Sequence, residues 1–502
     1  MGKPIQLSKS DYMLYLRHPA WLWIKKNNPK LLPQVDDATQ ALFDAGYLFE
    51  SYAEKLFPDG IKLNWEGYRE YLDLPQRTRE AIMSGATTIF QGRFETGEIT
   101  CIFDVIQFVG KDEVDLIEIK SSTGPRTNHE HDLAFQAIVL EDSGYKVNKI
   151  NIIHVNREYV RNGEVKPAEI ATMVDVTEKV KKRIDATREN IKKALETAKS
   201  PNMPDPTPSL CGLNCTTEWI KIYKLLKGIK PGDGSIYDLY NPSATLIKKL
   251  EEASITKLTD IPVDFEGLSD KQRWQVKSVQ EDKVLIDKQK LAQFLAEIKY
   301  PIYFLDYETL GSVIPYFDGY SPNKQIPFQY SLHVLEKPGA ELKHVEYLHS
   351  EKSDPIKPLT ESLIKNIGPK GTIIAWNMKF EQGCNTDMGK IHPEFADYYE
   401  KLNKRFIDLM MPFFEYCYVD AKFGGSASIK DVLPVIAPEL SYKDLDISDG
   451  LLAQRLWMQA VLDDKRPLEK EKILKDLWDY CGLDTMAMVR IWEFLEKLNK
   501  GK

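Results

Sequence analysis

Apolar and polar positions change period several times along the chain, and each change predicts a switch of element. Residues 1 to about 200 alternate helical segments with short β-rich runs. Among these, 99–109 and 114–121 read as two strands joined by a turn at Gly110-Lys111-Asp112-Glu113. Residues 177–200 read as one long charged helix, stopped by the four prolines within 201–208. Short helices dominate from Cys211 to about Glu297, which predicts a helical connector. Within it KKLEEASITKLTDIP alternates helix and turn, a pattern that fits both a helix-hairpin touching nucleic acid and plain packing. At Lys299 the character changes again. YPIYFLDYETL and GTIIAWNM read as apolar strands, RFIDLMMPFFEYCY as a helix, and 469–498 as a closing helical stretch. The predicted layout is an α/β domain over 1–208, a helical connector over 209–297 and a second α/β domain over 298–502.

Length supports this division, because 502 residues exceed what a single hydrophobic core accommodates. At 43% hydrophobic residues the chain has enough apolar side chains for two cores. MGKPIQLSKSDYMLYL lacks the basic-then-apolar pattern of a signal peptide, and no run of about eighteen apolar residues occurs. A cytoplasmic protein without membrane spans is expected. The six cysteines are scattered except for Cys211 and Cys215, so reduced thiols are expected rather than a disulfide framework. Net charge of −8 excludes the global basic field of a tight sequence-independent nucleic-acid binder. The basic runs at 179–193 and 221–230 fit solvated helix faces or local phosphate contacts.

Side chains two apart in a strand share a face, so Asp306 and Glu308 in FLDYET stand together while Leu305 and Tyr307 face the other way. Two carboxylates at one spot near an apolar core need protons or cations, and divalent metals are the usual answer. A solvated strand end fits D-x-E alone just as well. Two further pieces follow in order. WNMKFE sets Asn377 and Glu381 where a strand hands over to a helix, and YCGLD sets Tyr480 and Asp484 one helical turn apart on one face. A phenol beside a carboxylate suits orienting or deprotonating a water.

These motifs resemble the DEDD exonuclease superfamily, the DnaQ-like branch of the ribonuclease H fold, in the variant with tyrosine in its last motif. The family pattern is D-x-E on the first strand, then N-x-x-F-D, then Y-x-x-x-D. The resemblance spans roughly 298–500 and implies that Asp306, Glu308, Glu381 and Asp484 bind Mg²⁺ or Mn²⁺ while Tyr480 positions the attacking water. Glu381 departs from the pattern, being one methylene longer than the family's aspartate. Two divalent ions about 3.5 to 4 Å apart would clamp the attacking and leaving oxygens of a phosphodiester.

Asp104 in CIFDVIQF and Glu118 with Lys120 in DLIEIKSS form a second constellation, in which the period of two again puts Glu118 and Lys120 on one face. An isolated E-x-K is most simply a salt-bridged strand. With GYLFESYAEKLF upstream and Gln136 in DLAFQAIVL downstream, the set resembles the PD-(D/E)xK nucleases of the RecB-like group, which have a restriction-endonuclease-like fold. The resemblance implies metal binding by Glu50, Asp104 and Glu118, with Lys120 and Gln136 beside them and Glu54 competing with Glu50. Many relatives hold an iron–sulfur cluster on four cysteines. Here the early position offers His18, and no third cysteine lies near Cys211 and Cys215, so no cluster is expected. A zinc site on Cys211, Cys215 and an outside ligand is the remaining option.

The whole order, including IPFQYSLHV and SASIKDVLP, resembles a bacterial and archaeal two-domain family catalogued as a domain of unknown function. Together these resemblances imply a nuclease of DNA or RNA, with a 3'-5' exonuclease in the carboxy-terminal domain and a second RecB-like site. A nucleic-acid-binding scaffold with one or both sites inactive is the alternative. Outside the motifs, Asp408 fits a cap or brace better than a ligand, and His154 a hydrogen-bonded core position. Trp219, Trp274, Trp457, Trp478 and Trp492 fit packing. Lys430, after the Gly- and Ser-rich GGSAS, fits either a phosphate contact or plain helix capping by Ser428.

Overall fold

The computed structural model describes residues 5–34, 37–213, 216–230, 232–442 and 445–501. These form a mixed α/β chain that divides into two compact units. The first comprises Met1–Gly228 with Val313–Pro322, and the second Ile229–Ser312 with Asn323–Lys502.

The first unit is built on a mixed sheet. Its strands are β1 (Leu7–Ser8), β2 (Ile61–Lys62), β3 (Thr88–Thr96), β4 (Ile99–Phe108), β5 (Glu113–Lys120), β6 (Lys146–Val155) and β7 (Ala171–Asp175). The order is β2-β3-β4-β5-β6-β7, with β1 added to β4. The β3/β4, β4/β5 and β6/β7 pairs are antiparallel, while β5 and β6 run parallel. β4 and β5 lie where the sequence places them. Helix Thr127–Asp142 is buried from Asp132 to Leu140 because it sits between the sheet and helix Ile184–Lys199 in a single core. The opposite face of β5, with Ile117 and Ile119, packs on Phe49 and Ala53 of helix Asp37–Ala53. Sequence alternation on β5 thus decides which side chains face which helix.

Two expectations change here. The single helix over 177–200 is two, Thr177–Lys181 and Ile184–Lys199. At the break the Arg183 amide donates to Val180 O, one residue tighter than α-helical pairing, and its guanidinium bonds Glu130 at 2.7 Å. The first unit also runs past residue 208, because helix Thr216–Lys227 buries Trp219 and Ile222 against Ala20, Trp21 and Ile24.

The second unit takes in the remaining connector. Helices Ala244–Glu252 and Asp270–Glu281 close a small apolar core of their own around Leu246, Leu250 and Val276, in which Trp274 stays at the surface rather than packing. β8 (Leu285–Ile286) follows, and then the main sheet: β9 (Ile302–Gly311), β10 (Gln325–Leu335), β11 (Lys343–Leu348), β12 (Thr372–Ala375) and β13 (Phe406–Asp408). Its order is β11-β10-β9-β12-β13, antiparallel on the β10 side of β9 and parallel on the β12 side. The long helix Lys470–Asn499 lays Met488, Ile491 and Leu495 on Ile302, Phe304 and Ile374. Residues 405–418, expected to be one helix, instead give β13, a four-residue helix Met411–Phe414, and the start of β14 (Tyr418–Val419), which pairs with β8. Parallel pairing of Phe406 to Asp408 with β12 claims the first part, and Pro412 limits the helix that follows.

Candidate active sites

β9 is the middle strand of the second sheet, and its pleat presents Asp306 and Glu308 to helix Lys470–Asn499. Carboxylate oxygens of both acids and the sulfur of Cys481 lie within 4.8 Å of one another. The neighbouring strand holds that helix in place. Register sets Ser331 opposite Asp306 and Gln329 opposite Glu308. Ser331 Oγ and His333 Nδ1 reach Thr485 Oγ1 at 2.7 and 2.8 Å, and Gln329 donates to Leu477 O at 2.9 Å. Strand residues facing the two acids therefore clamp the turns that carry Tyr480 and Asp484.

The second motif is set by a turn. After β12 the chain passes through Asn377 at φ 67°, a left-handed conformation that asparagine tolerates better than most residues. Asp408, ending β13, accepts from the amides of Asn377, Met378 and Met410 at 3.0, 3.1 and 3.0 Å. Asp408 is thus a brace, and it fixes the start of helix Lys379–Ile391, whose first turn holds Glu381. Glu381 is 2% exposed, and its Oε2 has no partner among the described residues.

Repulsion from the other three acids converges on Asp306. Burial, followed by Asp484, Glu308 and Glu381, pushes the Asp306 carboxyl well above the usual range. Burial and Asp484 do the same to Glu308, opposed by Lys430. Burial pushes Glu381 up to about 8, with Asp408 adding to it. Asp484 is pushed up to about 6 by burial, against the hydroxyl of Tyr442 and the charge of Lys430. The buried Tyr480 phenol is raised by burial and then by Asp484, Glu308 and Asp306. Acids from three separated segments thus act on Asp306, and three of the four act on Tyr480.

The first unit gathers its own set. Glu118, 1% exposed, takes hydrogen bonds from Lys120 at 2.6 Å and Lys9 at 2.9 Å on Oε1, and from Gln136 at 2.7 Å on Oε2. Asp132, one helical turn before Gln136, binds Lys120 at 3.1 Å and Gln136 at 3.0 Å. Asp104 accepts from the Ile119 amide at 2.9 Å. Burial and then Glu118 push Asp104 up to about 7, against Lys9 and Lys120. Burial would raise Glu118 too, yet Lys120 and Lys9 together hold it far below the carboxylate range. Glu50 accepts from Gln91 at 2.6 Å and is raised by burial and by Glu54. Its charge is felt at Asp104, whereas Glu54 is tied to Lys62 at 2.8 Å.

Sequence reasoning missed Lys9, Asp132 and Tyr442. Asp132 stands four positions before Gln136 and so shares its helix face, a spacing that signals it. Lys9 and Tyr442 carry no local signal, since only tertiary folding brings them in. His18 caps helix Pro19–Asn27 by accepting from Ala20 N and stacks on Trp219 at 4.2 Å. Cys215 lies outside the described residues. His154 is buried, its Nδ1 3.0 Å from Val155 O. No described helix is long and apolar enough to cross a membrane.

Residues 303–428 match the family described as Domain of unknown function (DUF2779), a stretch that contains Asp306, Glu308 and Glu381 but ends before Tyr480 and Asp484. The chain is also similar to "Uncharacterized protein MG366" of Mycoplasma genitalium, at 25% identity over 222 residues, covering 40% of this chain and 33% of that protein. "Uncharacterized protein UU173" of Ureaplasma parvum serovar 3 is 25% identical over 233 residues, covering 42% of this chain and 33% of that protein. The "Uncharacterized protein MG366 homolog" of Mycoplasma pneumoniae is 23% identical over 298 residues, or 56% of this chain and 42% of that protein. The matched region thus spans about a third of the length of the first two relatives.

Proposed function

We propose that this protein is a metal-dependent nuclease with two phosphodiesterase sites, a DnaQ-like 3'-5' exonuclease of the tyrosine type in the second unit and a RecB-like PD-(D/E)xK site in the first. The observation that carries this reading is that Asp306 and Glu308 hold carboxylate oxygens within 4.8 Å of each other and of the Cys481 sulfur, while the charges of Glu381 and Asp484, from the other two motifs, are felt at Asp306. D-x-E on the central strand of the second sheet, followed in order by the other motifs, supports a ribonuclease H-like fold for that unit.

The residues fit divalent cations. A buried Asp306 carboxyl raised by burial and by three neighbouring acids ionises readily only when positive charge enters, and Glu381 keeps a buried oxygen without a partner among the described residues. Asp306, Glu308, Glu381 and Asp484 would hold Mg²⁺ or Mn²⁺, hard ions suited to oxygen. Bound there, the ions would supply charge stabilisation for the attacking and leaving oxygens. Tyr480 would orient the attacking water, and the clamp from Ser331, His333 and Gln329 would keep Tyr480 and Asp484 in register with β9. In the first unit Glu50, Asp104 and Glu118 would hold the ion, with Lys120 stabilising charge on the phosphate.

A second reading, a scaffold with an inactive amino-terminal site, has one observation in its favour: Lys9 and Lys120 already saturate one oxygen of Glu118. Labelled single- and double-stranded DNA and RNA incubated with Mn²⁺ discriminate the two. Stepwise trimming lost in Asp306→Ala, and a separate cleavage lost in Lys120→Ala, is the expected pattern. Binding without cleavage would leave the scaffold reading standing instead.

A further inference from the structure

Among the described residues, Lys430 is the lysine whose charge is felt by both Glu308 and Asp484. Its place in the fold has little to do with capping. Ser428 caps helix Ile429–Ile436 with its own hydroxyl, accepting from the Lys430 amide. The Lys430 side chain is therefore free to serve elsewhere, and its Nζ donates to Ser448 O at 2.7 Å and lies 5.9 Å from the centre of the Tyr442 ring.

Both anchors lead to the acid cluster. Tyr442 donates its hydroxyl to Asp484 Oδ1 at 2.5 Å. Ser448 precedes Asp449, which caps helix Gly450–Trp457, and a Cβ on Gly450 would stand 3.4 Å from Glu308 Oε2. The ammonium is thus held over the side of the site formed by Glu308 and Asp484. Unlike those acids, Lys430 is solvent-exposed, and no carboxylate pairs with it among the described residues. An ammonium has three donors, and one is committed to Ser448. Two remain for an incoming anion beside the buried carboxylates.

We propose that Lys430 is a phosphate-binding residue of the carboxy-terminal site, contacting a backbone phosphate of the nucleic-acid strand next to the acid cluster. The proposal rests on the nuclease reading. It assigns the Gly- and Ser-rich segment before Lys430 to substrate recognition through the lysine side chain.

The test is fluorescence anisotropy of labelled single-stranded DNA and RNA oligonucleotides, titrated at several KCl concentrations with Ca²⁺ present to suppress turnover. Lys430→Met should weaken binding about tenfold and reduce the salt slope by about one, while Lys430→Arg retains both. Unchanged affinity and slope in Lys430→Met, with wild-type protein that binds and cleaves, overturns this proposal alone. So does altered Mn²⁺ affinity in Lys430→Met with an unchanged oligonucleotide slope, which would make the lysine a counter-ion of the cluster. Wild-type protein that binds neither oligonucleotide would overturn the nuclease reading together with this one.

Discussion

Lys9 and Glu118 stand 109 positions apart and meet at 2.9 Å, on the same carboxylate oxygen that Lys120 reaches at 2.6 Å. Two ammonium groups on one oxygen would compete with any cation drawn to Glu118. Lys9→Met is therefore expected to tighten Mn²⁺ binding at this site, measured calorimetrically in an Asp306→Asn, Asp484→Asn background that silences the other cluster. Weaker binding would mean that Lys9 supports the ion rather than competing with it. The variant should also melt at lower temperature. Breaking a buried pair costs about 3–5 kcal/mol, and less here because Lys120 stays on the same oxygen.

The Tyr442 hydroxyl fixes one oxygen of Asp484 and leaves the other for the cluster. Tyr442→Phe removes that hydrogen bond while keeping the ring. Outer partners of a ligand typically matter 10- to 100-fold, so Mn²⁺ affinity of the second unit should fall by about tenfold, with cleavage falling in parallel. Retained affinity would reduce Tyr442 to packing.

Ser331 and Thr485 tie β10 to the helix bearing Asp484 through a 2.7 Å contact that is fully buried. Thr485→Val keeps the shape and leaves a buried ring nitrogen of His333 unpaired, while Ser331 keeps only its 2.9 Å contact with His344. Leaving a buried polar group unpaired costs about 1–3 kcal/mol, which urea unfolding of the variant should show. Double substitution Ser331→Ala with Thr485→Val should recover part of the loss, and no recovery would mean that the contact does not couple the two elements.

How legible this was follows from where each signal lives. Asp306 with Glu308 and Glu118 with Lys120 were readable because a strand's period of two is local. Tyr480 with Asp484 was readable because a helix turn is local too. Proline content marks where a helix stops near 208, whereas the packing of Trp219 on Trp21 carries the first compact unit on to Gly228. Residues 405–418 read as a helix from composition, but pairing with β12 overrides composition. Lys9 and Tyr442 joined their sites only through the fold, so no pattern along the chain pointed to them.

His333 is buried, and burial, then the stacked His344, pulls its pKa down to about 3. In the unfolded chain a histidine titrates near 6.5. As pH falls below about 6.5 the unfolded state takes up a proton that the folded state refuses, so stability declines until about pH 3, at about 1.4 kcal/mol per pH unit for one proton. His333→Asn should remove one proton's worth of that slope between pH 6 and 4 in urea unfolding, on the order of 1.4 kcal/mol per unit. An unchanged slope would show that other groups govern the acid limb.

Glu381 is the position where this chain differs by one methylene from the exonuclease pattern it resembles, and the structure gives that difference a sign. Its carboxylate already repels Asp306 from the first turn of helix Lys379–Ile391, a helix held by the Asp408 brace on Asn377 and Met378. The backbone is pinned, so a shorter side chain withdraws the carboxylate instead of drawing the helix forward. Misplacement by about 1 Å at a reacting centre costs about 10²-fold in rate. Glu381→Asp should therefore lower kcat by that order although it restores the family residue, and Glu381→Gln, which keeps the reach but not the charge, should lower Mn²⁺ affinity as well. Higher activity in Glu381→Asp would show that the glutamate is an imperfect substitute and that the brace yields.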